Sequence, residues 1–230
     1  MKTMFIEANY NKPISLPAKV IDKLPHTIVL VTSVQFINQM SAIKRDIEAS
    51  GRKVILAKGS HALHPGQILG CSTQLDIHQQ FDAFLFIGDG LFHPKALMKY
   101  SQPVYCFDPI NNEFKELAKA DVERMARLAK GAMLKFLHAT EVGILVTTKP
   151  GQQRLRQAQA IKSHFKDKKF YIIVFDSLDY GELENFPFIE VFINTACPRL
   201  AFDDYAEGKF TKPVLAMEEL AELMGKDIKF

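Results

Sequence analysis

Two of the three cysteines follow predicted strands, in loops where a thiolate could bind a metal ion. The first, Cys71, closes the segment 64–71, which proline and glycine interrupt. The second, Cys197, ends an apolar strand predicted over 191–196, because Pro198 cannot donate to a sheet ladder. Open α/β sheets bind ligands at the carboxyl ends of their strands. Both thiols are therefore candidate metal ligands, present or ancestral.

The third cysteine, Cys106, lies inside a predicted apolar strand rather than after one. A lone cysteine in such a position is more often a small buried hydrophobic residue than a ligand. Cys106 is therefore only a weak third candidate for metal binding. An odd number of cysteines also argues against a disulfide framework.

The elements that must position these cysteines are alternating apolar strands and amphipathic helices. Strands are predicted over 28–33, 53–58, 81–88, 104–107, 143–148, 171–176, 191–196 and 213–217. Shorter helices are predicted over 35–50 and 152–165, the first ending at Gly51. Near-continuous apolar strands separated by helices predict parallel sheets that are covered on both faces.

The two halves of the chain also resemble each other in sequence. VLVTS at 29–33 aligns with ILVTT at 144–148, and Ala-Ile-Lys at 42–44 recurs at 160–162. We therefore predict an α/β protein of two homologous domains, each a small four-stranded parallel sheet flanked by helices, with the cysteine loops facing a shared cleft. The predicted organisation is an extended lead-in over 1–25, a first α/β domain over 26–112, a long connecting helix over 113–138 and a second α/β domain over 139–230.

Composition restricts the class of protein. A chain of 230 residues that is 47% hydrophobic and 24% charged is globular. A net charge of +3 and the absence of a dense Lys/Arg run argue against a nucleic-acid partner. No apolar run approaches the roughly 18 residues of a membrane span, and the first residues lack the apolar core of a signal peptide. We therefore expect no membrane association and a cytoplasmic location.

Polar loops after the strands could bind the charged part of a ligand. Gly151, beside a predicted helix start, would offer backbone N–H groups to a carboxylate, and Lys149 would add positive charge. An ordinary solvated helix start explains both residues equally well. Arg199, two residues after Cys197, could bind a carboxylate or could instead form a structural ion pair with Asp203.

A second glycine-containing turn follows the strand predicted over 81–88. Gly88, Asp89 and Gly90 lack the third glycine of a dinucleotide fingerprint, so a tight turn is the more direct interpretation. His93 lies at a predicted helix start, where a solvated role and a functional role remain equally open.

Four segments together resemble the motifs of one known family. They are HPGQILGCS at 64–72, FIGDGLFHPKAL at 86–97, LVTTKPGQQR at 145–154 and NTACPRLAFDDY at 194–205. In order and spacing they resemble the diphthamide synthase family, iron-sulfur enzymes also called 2-(3-amino-3-carboxypropyl)histidine synthases. The resemblance extends over residues 5–223.

The resemblance implies a non-standard radical chemistry. In that family, three homologous domains each supply one cysteine to a 4Fe-4S cluster, and the open iron binds S-adenosylmethionine. Reductive cleavage releases a 3-amino-3-carboxypropyl radical, which adds to an imidazole carbon of a histidine in translation elongation factor 2. The acceptor is implied by the resemblance alone, and no catalytic residue is identified in this chain.

The resemblance also assigns roles to residues. Cys71 and Cys197 match the cluster ligands of the family's second and third domains. The turn at Gly88 and Asp89 matches one that lines the family's cleft, and His93 follows that turn. The residues implied to help bind the methionyl part of S-adenosylmethionine are Gln67, Lys149, Gly151, Gln152 and Arg199.

The resemblance covers only the family's second and third domains, so we expect the first domain and its cysteine to be absent. A separate polypeptide could supply that domain, or Cys106 or a symmetry-related subunit could supply the third thiolate. We therefore expect a homo-oligomer, or a complex with a subunit that carries the missing domain, acting on a protein substrate of the elongation factor 2 type. The alternative is a truncated homologue without a cluster that acts as a scaffold or partner subunit. A metal hydrolase built on Cys71, Cys197 and a histidine is weaker, because compact Cys/His spacing is lacking.

Overall fold

The computed structural model describes residues 4, 6–59, 62–70 and 75–223. The helices are α1 (Ala18–Ile21), α2 (Met40–Ala49), α3 (Phe92–Lys95), α4 (Lys119–His138), α5 (Leu155–His164) and α6 (Met217–Leu223). The strands are β1 (Thr27–Thr32), β2 (Lys53–Leu56), β3 (Lys58–Gly59), β4 (Leu75–Asp76), β5 (Ala83–Ile87), β6 (Val104–Asp108), β7 (Glu113–Glu116), β8 (Glu141–Thr147), β9 (Lys169–Phe175), β10 (Val191–Asn194) and β11 (Val214–Ala216). The chain divides into two compact units, Met1–Val122 and Glu123–Phe230.

The first unit contains, within the described residues, a five-stranded sheet in the order β2-β1-β5-β6-β7. Strands β2, β1, β5 and β6 are parallel, and β7 pairs antiparallel with β6. The prediction of a helix from residue 113 is wrong over β7, since α4 begins only at Lys119. Phe114 stacks on Tyr105 of β6 with ring centroids 5.7 Å apart, a cross-strand aromatic pair that favours the strand.

The second unit contains a four-stranded parallel sheet in the order β11-β10-β8-β9 among the residues described. If the strands of this unit are numbered in chain order, their order across the sheet is second, first, third, fourth. The four parallel strands of the first unit have the same order. The shared topology confirms the predicted α/β class and agrees with the internal repeat in the sequence.

The core of the first unit lies between α2 and the central strands. Residues 28–31 of β1 and 83–87 of β5 are buried, as expected for parallel strands covered on both faces. The predicted lead-in is not merely extended, because it contains α1 and packs onto this core. Its buried residues are Ile14, Leu16, Val20 and Leu24.

The core of the second unit lies between its sheet and the helices α4 and α5. Phe136 of α4 and Ile161 of α5 are buried against Ile144 of β8 and Ile193 of β10. In the part of the chain that the structure describes, no helix combines the length and apolar character needed to cross a bilayer.

Glu190 fastens α4 to the start of β8. Its carboxylate accepts hydrogen bonds from the backbone N–H of Thr140 at 2.8 Å and of Glu141 at 3.2 Å, and it pairs with Lys135 of α4 at 2.7 Å. The hydrogen bond from Lys135, followed by those from the two N–H groups, lowers the pKa of Glu190 from 4.5 to about 2.

We predict that Phe136→Ala lowers the free energy of unfolding by about 3–5 kcal/mol, because the side chain is fully buried and its removal leaves a cavity. The matched control is Leu134→Ala on the same helix, at a half-exposed position, which should change that free energy by no more than about 0.5 kcal/mol. Urea denaturation followed by circular dichroism measures both. Equal effects of the two variants would contradict this account of the core.

We also predict that Glu190→Gln destabilises the chain in a pH-dependent way. The folded-state pKa of Glu190 is lowered, so its stabilising contribution is fully present above pH 4.5 and is lost as pH falls towards 2. The difference in urea midpoint between wild type and variant should therefore be largest near pH 7 and shrink as pH falls from about 5 to 3. A difference that stays constant across this range would refute the assignment.

Candidate functional site

Strand order brings specific loops to one edge of each sheet. In the second unit, the order reverses between β8 and β10, and ligands of open α/β sheets bind at the carboxyl ends of strands at such a reversal. Asn194 pairs with Leu145 in parallel, so the loop after β8 and the loop after β10 leave the sheet at the same end. The second of these loops carries Cys197.

The loop after β10 is fixed by two polar side chains. The Asn194 side chain donates to the carbonyl of Cys197 at 2.7 Å and accepts from the N–H of Ala196 at 3.1 Å. The hydroxyl of Thr195 donates to the carbonyl of Leu145 at 2.8 Å, which ties the loop to β8. Cys197 is partly exposed and is not in a disulfide with another described cysteine. Its backbone is thus held firmly, and the residue is neither fully buried nor fully exposed.

A buried cation follows Cys197. Arg199 is 5% exposed and forms an ion pair with Asp203 in the π-helical turn Leu200–Asp204. The N–H of Leu200 donates to the carbonyl of Cys197 at 3.0 Å, so the turn begins directly at the cysteine. Burial lowers the pKa of Arg199, while the charges of Asp203 and Cys197 act in the opposite direction. The guanidinium therefore lies within electrostatic reach of the thiol.

Asp204 connects the same turn to two distant residues. Its carboxylate accepts a hydrogen bond from Tyr180 and pairs with Lys209 at 2.6 Å. Burial, together with the hydrogen bond to Asp204, raises the pKa of Tyr180. Sequence reasoning missed Tyr180, which lies 24 residues from Asp204 and carries no local signal. The side-chain role of Asn194 was also missed, although its position directly after an apolar strand was an available signal.

The loop after β8 differs from its prediction. The helix predicted from residue 152 begins at Leu155, because a turn with Gly151 at φ 80° comes first. Gly151 therefore does not lie at a helix N-terminus. Lys149 is exposed, and its carbonyl accepts from the N–H of the half-buried Gln152 at 3.1 Å. The loop offers an exposed ammonium and an amide beside the strand reversal.

Gln67 is buried in the first unit, where it shapes its own loop. Its side-chain oxygen accepts hydrogen bonds from the N–H groups of Leu63 at 2.9 Å and His64 at 3.1 Å. Gln67 also forms an isolated parallel bridge with Thr32, which extends the sheet beside the end of β1. Cys71, four residues further on, lies outside the described residues. The shared cleft of the two cysteine loops therefore stays a prediction.

The turn after β5 is restricted by aromatic rings. Gly88 has φ 154°, and a Cβ there would lie 2.7 Å from the ring of Phe86, so a larger residue would force the ring to move. Asp89 is exposed. His93 stacks on Phe86 with centroids 6.1 Å apart and meets the edge of Phe92 at 5.3 Å.

The rings near His93 also contact the loop that leads to Cys71. Gly70, the last described residue before Cys71, packs against the ring of Phe92. The structure therefore brings the approach to Cys71 beside α3, which carries His93.

Cys106 is buried in β6 between Phe86 and Lys115 of the neighbouring strands. Burial raises the pKa of the Cys106 thiol from 9.0 to about 12. Because the thiolate is the metal ligand, a thiol that stays protonated at neutral pH is a poor one. Over the described part of the chain, no group of three or more His, Cys, Asp or Glu side chains is arranged to hold a metal ion.

Comparison with known proteins establishes the family. The model of the family described as "Putative diphthamide synthesis protein" matches residues 1–229, nearly the whole chain. The chain belongs to this diphthamide synthesis family.

Named members of the diphthamide synthesis family are similar over most of the chain. The 2-(3-amino-3-carboxypropyl)histidine synthase of Pyrococcus horikoshii is 35% identical over 211 residues, which cover 89% of this chain and 59% of that protein. Subunit 1 of the Saccharomyces cerevisiae enzyme is 31% identical over 180 residues, which cover 73% of this chain and 40% of that protein. The chain thus spans 59% and 40% of the length of these two relatives.

A solved structure of a family member has the same fold. Dph2 from Pyrococcus horikoshii, crystallised with a 4Fe-4S cluster, superposes with a TM-score of 0.72 at 33% identity, covering 91% of this chain and 61% of that one. A second crystal structure of the same protein gives a TM-score of 0.74 at 30% identity.

We predict that the two described cysteines differ in reactivity. Iodoacetamide at pH 8 should modify Cys197 in the native protein and leave Cys106 intact, because Cys106 is buried and its pKa is about 12. Peptide mass spectrometry measures both sites. In 8 M urea both should react, which serves as the control, and native modification of Cys106 at the rate of Cys197 would contradict the assignment.

Proposed function

We propose that this chain binds a 4Fe-4S cluster through Cys71 and Cys197 and contributes to transfer of the 3-amino-3-carboxypropyl group of S-adenosylmethionine to a histidine of a protein of the elongation factor 2 type. The observation that carries the proposal is the partly exposed Cys197 thiol at the carboxyl end of β10, beside the strand reversal. The likeness to a Dph2 structure that contains a 4Fe-4S cluster supports it.

The described candidate ligand at the end of β10, Cys197, is of the residue type that holds such a cluster. Iron-sulfur clusters are held by cysteine thiolates, and Cys197 is presented on a loop that Asn194 and Thr195 hold in place. When bound, the cluster would supply the electron for reductive cleavage of the Cγ–S bond of S-adenosylmethionine. In this proposal the third protein ligand comes from outside the described residues, since burial raises the pKa of the Cys106 thiol to about 12 and disfavours the thiolate.

Arg199 and Asp203 set the local charge around Cys197, the proposed cluster ligand. A cluster with its thiolates is anionic, and a buried guanidinium close to it offsets part of that charge. Asp203 orients the guanidinium and limits the net positive charge that is buried. In this proposal, Arg199 stabilises the thiolate side of the site and does not need to contact the methionyl carboxylate directly.

In this proposal, the loop after β8 holds the methionyl group of S-adenosylmethionine. Lys149 presents an exposed ammonium at the same end of the sheet as Cys197, which favours a carboxylate. Gly151 lets the backbone turn there, and the amide of Gln152 can donate or accept. In the first unit, Gln67, Gly88, Asp89 and His93 are the corresponding proposed lining residues. Gln67 acts by shaping the loop, because its oxygen is already bonded.

We predict that Cys197→Ala lowers iron bound per chain by about tenfold or more after anaerobic reconstitution, because a cluster ligand is removed. The matched control is Cys106→Ala, which should retain the wild-type iron content. Iron analysis and visible absorption measure both variants, each reconstituted alone and with candidate partner subunits.

Two outcomes would overturn the proposal. Equal iron in Cys197→Ala and wild type would remove Cys197 from the site. A wild-type chain that stays iron-free alone and with every candidate partner, although folded, would leave a scaffold or partner subunit as the function.

A further inference from the structure

A carboxylate in the turn after Cys197 is held by two residues outside that turn. Asp204 ends the π-helical turn, and its side chain is 19% exposed. One of its carboxylate oxygens accepts a hydrogen bond from the hydroxyl of Tyr180, and the other accepts from the ammonium of Lys209 at 2.6 Å. Both oxygens of Asp204 are therefore engaged by groups other than the guanidinium of Arg199.

Two further contacts fix the geometry of these partners. The ring of Tyr180 meets the buried ring of Phe210 edge-on, with centroids 4.8 Å apart, which holds the hydroxyl against Asp204. The backbone N–H of Lys209 donates to the carbonyl of Asp204 at 2.9 Å, so the lysine is tied to the same residue twice. Tyr180 lies on the segment after β9, and Asp204 therefore joins loops that follow two different strands.

Asp204 lies within electrostatic reach of the cation that follows Cys197. Burial lowers the pKa of Arg199, and the negative charge of Asp204 acts in the opposite direction, as do those of Asp203 and Cys197. Arg199 is 5% exposed, so water and salt screen these charges only weakly. A second carboxylate that was free to approach the guanidinium would draw its positive charge away from Cys197.

We propose that Tyr180 is a positioning residue for the iron-sulfur site, because it holds the carboxylate of Asp204 away from Arg199 and leaves the guanidinium to Cys197. The inference rests on the cluster site proposed above. Tyr180 acts through Asp204 and not by contact with the cluster. Local charge and hydrogen bonding set the reduction potential of such clusters, and nearby positive charge favours the reduced, more negative state. The hydroxyl of Tyr180 therefore raises the reduction potential of the cluster.

The sharpest variant is Tyr180→Phe, which keeps the ring against Phe210 and removes only the hydroxyl. It changes no formal charge, so a shift in potential reports the released carboxylate of Asp204. After anaerobic reconstitution, with a partner subunit where loading requires one, the equilibrium constant for one-electron reduction of the cluster should fall at least about threefold. This corresponds to a midpoint potential about 28 mV more negative, measured by redox titration.

The matched control is Tyr171→Phe. It removes another hydroxyl that donates to a carboxylate, that of Glu141 at 2.7 Å. Tyr171 and Glu141 lie near the amino ends of β9 and β8, at the opposite edge of the sheet from the loop that carries Cys197. The midpoint potential of this variant should equal that of wild type.

A double variant separates positioning from mere loosening of the loop. If Tyr180→Phe acts by releasing the charge of Asp204, adding Asp204→Asn removes that charge, and the potential should return to the wild-type value or rise above it. A loop that was only loosened would not recover when a second side chain was altered. Circular dichroism should show that every variant is folded.

Lys209→Met reaches the same carboxylate from an exposed position, where substitution does not disturb packing. It should also lower the reduction equilibrium constant at least about threefold. Its control is Lys166→Met, which makes the same charge change at an exposed residue just before β9, at the opposite edge of the sheet, and should leave the potential unchanged.

The outcomes distinguish this inference from the proposed function. A folded chain that takes up no iron, alone and with every candidate partner, overturns both. A cluster-loaded Tyr180→Phe variant with the wild-type potential overturns the inference alone, and so does a shift that Asp204→Asn fails to reverse. An equal shift in Tyr171→Phe would overturn it as well, because the effect would not then depend on Asp204.

Discussion

The carboxyl end of β10 is where the chain leaves the sheet while still buried, and its polar backbone groups there must be hydrogen bonded. Asn194 meets this constraint with one side chain that serves two backbone groups, and Thr195 bonds across to β8. Everything proposed for Cys197 depends on this local satisfaction. A loop whose backbone groups are satisfied in this way holds Cys197 at a defined position.

The first unit meets the same constraint in a related way. Thr32, the last residue of β1, donates its hydroxyl to the carbonyl of Ile87 at 2.6 Å, across the strand reversal. In the second unit, Thr195 makes the equivalent bond from the third strand to the first, at Leu145. In each repeat, therefore, a buried threonine hydroxyl donates a hydrogen bond across the strand reversal. Loops at the same end of each sheet carry the candidate site residues.

Charge is arranged around Cys197 in a chain of contacts within the second unit. Arg199 is buried with Asp203, and the neighbouring Asp204 binds Tyr180 and Lys209. A buried ion pair contributes little net stability, because desolvation offsets much of the attraction. The arrangement positions a cation near Cys197, in keeping with the anionic cluster that is proposed there.

The sequence alone determined the features that depend on local pattern. Continuous apolar runs predicted β1, β8 and β10, and the helix predicted over 35–50 contains α2. The position of Cys106 inside such a run predicted its burial. The repeat indicated two similar domains, and the four motifs, in their order and spacing, resembled the diphthamide synthase family.

Only the tertiary structure decided the features that depend on distant partners. Residues 113–116 are a strand because β6 supplies Tyr105 and a ladder of hydrogen bonds, and α1 packs where an extended lead-in was expected. The hydrogen bond from Tyr180 to Asp204, 24 residues away, is likewise invisible in local sequence. Each depends on which groups the fold brings together or leaves uncovered, and one residue's neighbours along the chain do not specify that.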